Sequence, residues 1–274
     1  MRIINQRKGL SQAQTDSWNE VGILVLENLF SRREMKIARK GLDDLWANRK
    51  RANNPLVIDV NLGGLEKRKF FRDADDEDRN VVYKLNDTFL SNPAIRDLGL
   101  ADRLTAILSE LVDGQVCICN SLHFERGSQQ ALHVDTFYMP PPANGRLIVA
   151  SICLEDVTMD AGPLNYVRNS HSIPPFLNSD GGRNVRSPQE LEQANWYYQA
   201  AIRDRKLPEE KFLGRAGDVI IWHEQLFHGG SPILNLDRTR KSLVFHYWRA
   251  AEMEPTSLLP HLDGFYMNRP HPTV

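Results

Sequence analysis

The alternation of apolar and polar positions changes character near residue 115. Before that point the pattern is mainly helical. Ser11 can cap a helix running to about Glu20, and Gly22-Ile23-Leu24-Val25-Leu26 then reads as a short buried strand. Ser31-Arg32-Arg33-Glu34 has capping-box form, and behind it Met35, Ala38, Leu42, Leu45 and Trp46 recur at helical spacing. The opposite face carries Arg32, Arg33, Lys36, Arg39 and Lys40 and is read as solvated. Residues 55–80, with Gly63-Gly64 and an acidic run from Asp73 to Asp78, are expected to form an irregular surface loop. Val81-Val82-Tyr83-Lys84-Leu85 predicts a strand. The stretch from Asn92 to Val112 predicts one or two helices that stop at Asp113-Gly114.

From Gln115 the pattern shifts to short β-like runs punctuated by Gly, Pro and Asp. These runs cover 116–125, 131–137, 146–155, 164–167, 218–222 and 241–248. Such spacing predicts a sandwich or barrel rather than βαβ units. One long helix interrupts it, with Ser187 at N-cap, Pro188 at N1 and Glu190 at N3, running to about Arg203. No repeat or linker divides the chain, so a single domain is expected over 1–274.

Composition narrows the class. With 274 residues and 41% hydrophobic content the chain can bury a core without staples. Thirty-four Lys+Arg against 35 Asp+Glu leave a net charge of −1, which argues against disorder and against a nucleic-acid or anionic-membrane partner. The three cysteines (Cys117, Cys119, Cys153) are expected as free buried thiols in a reducing, cytoplasmic setting. The opening Met-Arg-Ile-Ile-Asn-Gln-Arg-Lys lacks the apolar core of a signal peptide, and no apolar run nears the ~20 residues of a membrane span.

The candidate chemistry begins at Leu132-His133-Val134-Asp135-Thr136. In an extended segment, positions i and i+2 point the same way, so His133 and Asp135 can converge on one ion. One imidazole and one carboxylate, joined by a second imidazole, make the facial set that holds non-haem Fe(II) with positions left open. Alone, H-x-D is a weak signal, since chance supplies roughly half a match in a chain of this composition. Support comes downstream, where Gly217-Asp218 feeds an apolar strand and His228 precedes Gly229-Gly230. Arg240 then opens the run Arg240-Lys241-Ser242-Leu243-Val244-Phe245-His246-Tyr247, and an arginine there can grip a carboxylate in two-pronged fashion.

These motifs, in this order, resemble the phytanoyl-CoA dioxygenase family of Fe(II)/2-oxoglutarate-dependent oxygenases. The resemblance extends through Gly22 to Asn28, Leu154-Glu155-Asp156-Val157, and the run from Gly162-Pro163-Leu164 to Ser170-His171. It implies a mainly β, α+β fold with a double-stranded β-helix (jelly-roll, cupin-like) core. Residues 1–114 would be a mostly helical wrap and 115–250 the core, with a selectivity-bearing insert over about 174–212 and a tail at 251–274. It implies His133, Asp135 and His228 as iron ligands. Arg240 would anchor the far carboxylate of 2-oxoglutarate, with Arg238 as competitor, and Lys84 would be a second cosubstrate contact. The cofactors implied are Fe(II), 2-oxoglutarate and O2, acting on a small molecule. The family commonly has Pro-Gly where this chain has Arg168-Asn169, a turn that Asn can still support through a left-handed backbone.

Halide-installing relatives have a small residue in place of the carboxylate ligand, so with Asp135 present the resemblance implies hydroxylation, or desaturation or ring closure from the same radical. Two other readings are an inactive binding or sensing jelly roll and an oxygen-independent cupin-type metalloenzyme. The remaining histidines, His123, His223 and His246, are expected to be ordinary core residues, with His171 closer to the pocket. Trp196-Tyr197-Tyr198 is read first as packing, with a substrate-lid role as the alternative. Gly127-Ser128-Gln129-Gln130 is read as a polar turn that could also present amides to the cosubstrate.

Overall fold

The computed structural model describes residues 9–274; residues 1–8, where no signal peptide is expected, lie outside it. The helices are α1 (Gln12–Val21), α2 (Arg32–Ala47), α3 (Pro93–Gly99), α4 (Asp102–Leu111) and α5 (Pro188–Arg205). Capping boxes at Ser11/Gln14 and Ser31/Glu34 start α1 and α2, and Ser187 accepts from the Glu190 amide to start α5. Each box satisfies backbone donors that would otherwise be orphaned at a helix start.

The strands are β1 (Ile23–Leu26), β2 (Val57–Val60), β3 (Lys67–Phe70), β4 (Tyr83–Asn86), β5 (Val116–Phe124), β6 (Leu147–Cys153) and β7 (Leu164–Val167). They continue with β8 (Glu209–Phe212), β9 (Val219–His223), β10 (His228–Gly230), β11 (Ser242–Arg249), β12 (Leu258–His261) and β13 (Gly264–Met267). A large sheet runs β1-β9-β6-β11-β5-β4-β2-β3, with the β12–β13 hairpin joined to it through a parallel pairing of β13 with β5. A small sheet, β10-β7-β8, faces it. This is the mainly antiparallel, α+β jelly-roll architecture expected from the strand-rich half.

Strand alternation sorts the core into layers. On β11, Leu243, Phe245 and Tyr247 join Ile148, Ala150 and Ile152 of β6 beneath α2, α3 and α4. Val244, with Val149, Ile220, Trp222 and Phe124, points inward between the sheets. A third cluster, around Trp46, Ile58, Phe71 and Tyr83, seats the β2–β3 hairpin, and a fourth packs Ala194 and Tyr198 of α5 against Phe227 and Val167.

Four expectations change. Residues 55–80 are not a surface loop: β2 and β3 form a hairpin on the large sheet, with Leu56, Val57, Ile58 and Val60 buried. The 1–114 wrap therefore contributes four strands besides its helices. The segment 251–274 is no free tail, because β13 pairs with β5 and Arg269 forms an ion pair with Asp87 (2.8 Å). The span 174–212 ends in β8, a strand of the small sheet, so its inserted part is chiefly α5 and the loop before it. Finally, 131–137 is not a strand: its ladder contact is one bridge, His133 to His228, and Asp135–Phe137 forms a 3-10 turn.

Gly217 shows how closely the turn into β9 is built. Its φ is +98°, and a Cβ there would stand 1.9 Å from the Phe30 carbonyl oxygen. That backbone cannot retreat without losing the Phe30 amide bond to the Gly217 carbonyl (3.0 Å). Gly217→Ala is expected to cost about 2 kcal/mol or more of stability, from strain plus steric clash. Urea unfolding checks this; an unchanged midpoint would contradict the tight approach.

Candidate metal centre

The site begins with two backbone hydrogen bonds. The His133 amide donates to the His228 carbonyl (2.8 Å) and the His228 amide to the His133 carbonyl (2.9 Å). Directly opposed residues of an antiparallel pair project to the same face, so both imidazoles enter the space between the sheets. Close approach here depends on glycine, since a Cβ at Gly229 would lie 2.6 Å from the Gln130 carbonyl oxygen.

Each ring is then fixed in the same way. His133 Nδ1 lies 2.8 Å from the Ala131 carbonyl and His228 Nδ1 lies 2.9 Å from the Leu226 carbonyl. A carbonyl only accepts, so Nδ1 carries the proton and Nε2 presents a lone pair. His133, Asp135 and His228 are all buried, and one donor atom from each lies within 4.8 Å of the others. Two imidazole nitrogens and one carboxylate in that spacing suit a divalent transition metal with open positions. Desolvation opposes the charge on Asp135, but the imidazoles of His228, His246 and His133 outweigh it and hold the carboxyl well below its usual range.

The same cavity is lined by Arg240, Ser242, Val244 and His246 of the β11 segment, with Ser128 and Gln130 from the preceding turn and Phe124, Ile220 and Trp222 from neighbouring strands. Arg240 is 8% exposed, and its Nε is buried without a hydrogen-bond partner. No carboxylate among the described residues pairs with it, and burial pulls its pKa down. Arg238, the competing arginine, is 59% exposed at its side chain and lies near Asp160 (3.9 Å), outside the cavity. Lys84 is not brought to the cavity wall. Its ammonium is 3.4 Å from both Asp59 and Glu66, because buried Asp59 recruits Lys84 and Arg68 as counter-charges.

Two residues not expected at the site contact the cluster: Trp222, which the sequence did not single out, and His246, which was expected to be an ordinary core residue. Trp222 Nε1 donates to Asp135 Oδ2 (2.8 Å), and His246 Nε2 lies 3.3 Å from Asp135 Oδ1. The signal for His246 was strand alternation: counted from Arg240, positions 242, 244 and 246 share its face. His123 bonds the Ser242 carbonyl outside the cavity (3.1 Å), while His171 and His223 face one another at 5.4 Å near Asn19. Tyr198 packs flat on Phe227 and bonds Gln225 (2.7 Å), whereas Trp196 is 68% exposed. Asn169 adopts the left-handed backbone (φ 60°) expected of it.

Comparison with known proteins agrees with this geometry. The family model for phytanoyl-CoA dioxygenase (PhyH) matches residues 18–242. No curated protein matches the chain. Among solved structures, the non-heme alpha-ketoglutarate-dependent carbocyclase SnoK of nogalamycin biosynthesis aligns at TM-score 0.65 and 18% identity, over 90% of this chain and 87% of that one. The epimerase SnoN, in complex with Fe3+, alpha-ketoglutarate and nogalamycin RO, aligns at 0.63 and 17% identity over 94% and 98%. EctD from S. alaskensis, with 2-oxoglutarate and 5-hydroxyectoine, aligns at 0.63 and 17% identity over 100% and 88%. At such identities the likeness is one of fold. No helix among the described residues is long and apolar enough to cross a membrane.

Buried histidines, at the centre and elsewhere, predict acid sensitivity. Desolvation lowers the pKa values of His133, His123 and His223 to about 4, with the neighbouring His228 adding to the effect at His133. In the unfolded chain the same groups take up protons near pH 6.5. Between those values the folded state binds fewer protons, so stability falls as the pH drops through that window. Glu224, whose buried carboxyl is shifted upward, works the other way at a single site. The metal-free protein is therefore expected to lose melting temperature steadily from pH 7 to 4.5. A flat profile would contradict the buried neutral histidines.

Proposed function

The chain belongs to the phytanoyl-CoA dioxygenase family of Fe(II)/2-oxoglutarate-dependent oxygenases, and from that premise we propose that it hydroxylates an unactivated C–H bond of a small molecule. In this reading His133, Asp135 and His228 hold the iron, and Arg240 holds the far carboxylate of 2-oxoglutarate. One observation carries it: a buried guanidinium with no partner carboxylate and a cluster of three metal donors open onto the same cavity. A lone buried cation is costly unless a ligand supplies the missing anion, and a dianion bound at its other end by a metal does so.

Iron, 2-oxoglutarate and O2 together supply the oxidising power there, with succinate and CO2 as co-products and one oxygen atom delivered to substrate. The protein's own groups set the conditions. His133 and His228 keep Nδ1 protonated against backbone carbonyls, so their Nε2 lone pairs need no proton release to bind metal. Asp135 stays ionised at neutral pH and offsets part of the metal charge. Phe124, Ile220, Val244 and Leu164 line the rest of the cavity and limit water near the reacting atoms. SnoK and SnoN are named a carbocyclase and an epimerase, so ring closure or inversion at the attacked carbon is the competing outcome. We place the protein in the cytoplasm, on its reduced, buried cysteines.

Anaerobic titration with Fe(II) and then 2-oxoglutarate should give the weak visible absorption of the chelate. Arg240→Met should weaken 2-oxoglutarate binding about 100-fold, the loss of a charge-assisted pair with a buried arginine. Asp135→Ala and His228→Ala should abolish succinate formation, including uncoupled turnover without substrate. Undiminished succinate in both variants would sink the metal assignment; binding without turnover in the wild-type protein would favour a sensing role.

A further inference from the structure

We propose that Trp222 and His246 form a clamp that holds Asp135 to one-oxygen coordination. This inference rests on the metal reading above. Asp135 is the ligand that the β ladder does not fix. The chain leaves its pairing after His133 and enters the turn Asp135–Phe137, so the carboxylate sits on a turn rather than in a sheet. Both histidine ligands have a backbone carbonyl to set their ring orientation, whereas Asp135 has two side chains.

The division of labour between its two oxygens is visible. Oδ1 is the oxygen 3.8 Å from His228 Nε2, facing the donor cluster, and His246 Nε2 approaches that same oxygen at 3.3 Å. Oδ2 accepts the indole N–H of Trp222 at 2.8 Å. Indole nitrogen is a donor only and has no second tautomer, so this contact cannot reverse. Trp222 is itself packed in place: it is buried among Ile23, Val149 and Ile220, and its ring rests 5.0 Å from that of His228. With Oδ2 occupied, the carboxylate would offer a bound metal one oxygen only, leaving more open positions for cosubstrate and oxygen than a chelating carboxylate would. Trp222 and His246 are thus positioning residues acting through Asp135.

Co(II), titrated into the intact protein under anaerobic conditions, tests this without turnover. Trp222→Phe, which keeps an aromatic ring but removes the N–H, should raise the Co(II) dissociation constant 10- to 100-fold, the usual cost of losing such a partner. It should also alter the visible d–d absorption of the Co(II) form. His246→Leu should behave likewise, while His246→Gln, which retains an N–H donor, should recover most of the affinity. Trp196→Phe, on the exposed face of α5, serves as control. Melting of each metal-free variant separates weakened coordination from lost folding. If wild-type protein binds no Co(II), the metal reading itself fails and the clamp with it. If wild-type binds and Trp222→Phe binds equally well with the same spectrum, the clamp is wrong and the metal reading stands. Should Trp222→Phe fail to fold, the His246 pair decides: equal affinity in Leu and Gln variants overturns the proposal.

Discussion

The reciprocal backbone bond between His133 and His228 is the constraint on which the centre rests. It joins a turn-bound segment to the start of a three-residue strand, neither of which has much structure of its own. Once that pair closes, the face of both side chains is determined, because opposed residues in an antiparallel pair project together. Each ring then finds the carbonyl two residues before it, Ala131 for His133 and Leu226 for His228. The tautomer needed for metal binding thus follows from local chain geometry. Gly229 matters for the same reason, since any side chain there would force apart the segments that the bond must bring together.

Charge placement separates structure from function in this molecule. Buried carboxylates elsewhere are answered within the protein. Asp59 meets Arg68 and Lys84, Glu125 meets Arg79, Lys241 and the hydroxyl of Tyr83, and Glu224 meets Arg183 and two backbone amides. The partners outweigh desolvation at Asp59 and Glu125 and offset it only in part at Glu224, and all three groups tie segments together without adding much net stability. Arg240 breaks the pattern, for its charge is buried on a cavity wall with no acid to meet it. On the proposed function, a carboxylate from solution would offset that cost.

Legibility followed the range of the interactions. Helix starts were readable because a capping box lies within four residues, and Ser11, Ser31 and Ser187 all stand at N-caps. Strand 164–167 was readable because turn residues bound it closely. The β2–β3 hairpin was missed because Val57-Ile58-Asp59-Val60 is short, buried at every position and contains an acid, so it shows no alternation. The burial of Asp59 on β2 depends on Arg68 of β3 and Lys84 of β4. The reverse error occurred at 131–137, where an apolar, alternating stretch makes only a single bridge.

The site was legible in its ligand types and obscure in its supports, and the reason is geometric. His-x-Asp and a later His-Gly-Gly carry their chemistry in neighbouring letters, whereas the bond from Trp222 to Asp135 requires β9 and the 135–137 turn to meet across the barrel. His246 lies between these cases. Alternation from Arg240 puts it on the inner face, but only if Arg240 is already known to point inward. One anchored residue per strand therefore converts a repeating pattern into an oriented one. For β11 that anchor is the arginine two residues before it, whose unpaired charge has no place on the apolar, helix-covered face of Leu243, Phe245 and Tyr247. The near-neutral charge of the whole chain takes its meaning from this: on the proposed function, the positive field that meets the cosubstrate is one guanidinium just before one strand, on the wall of the cavity that Asp135 also lines.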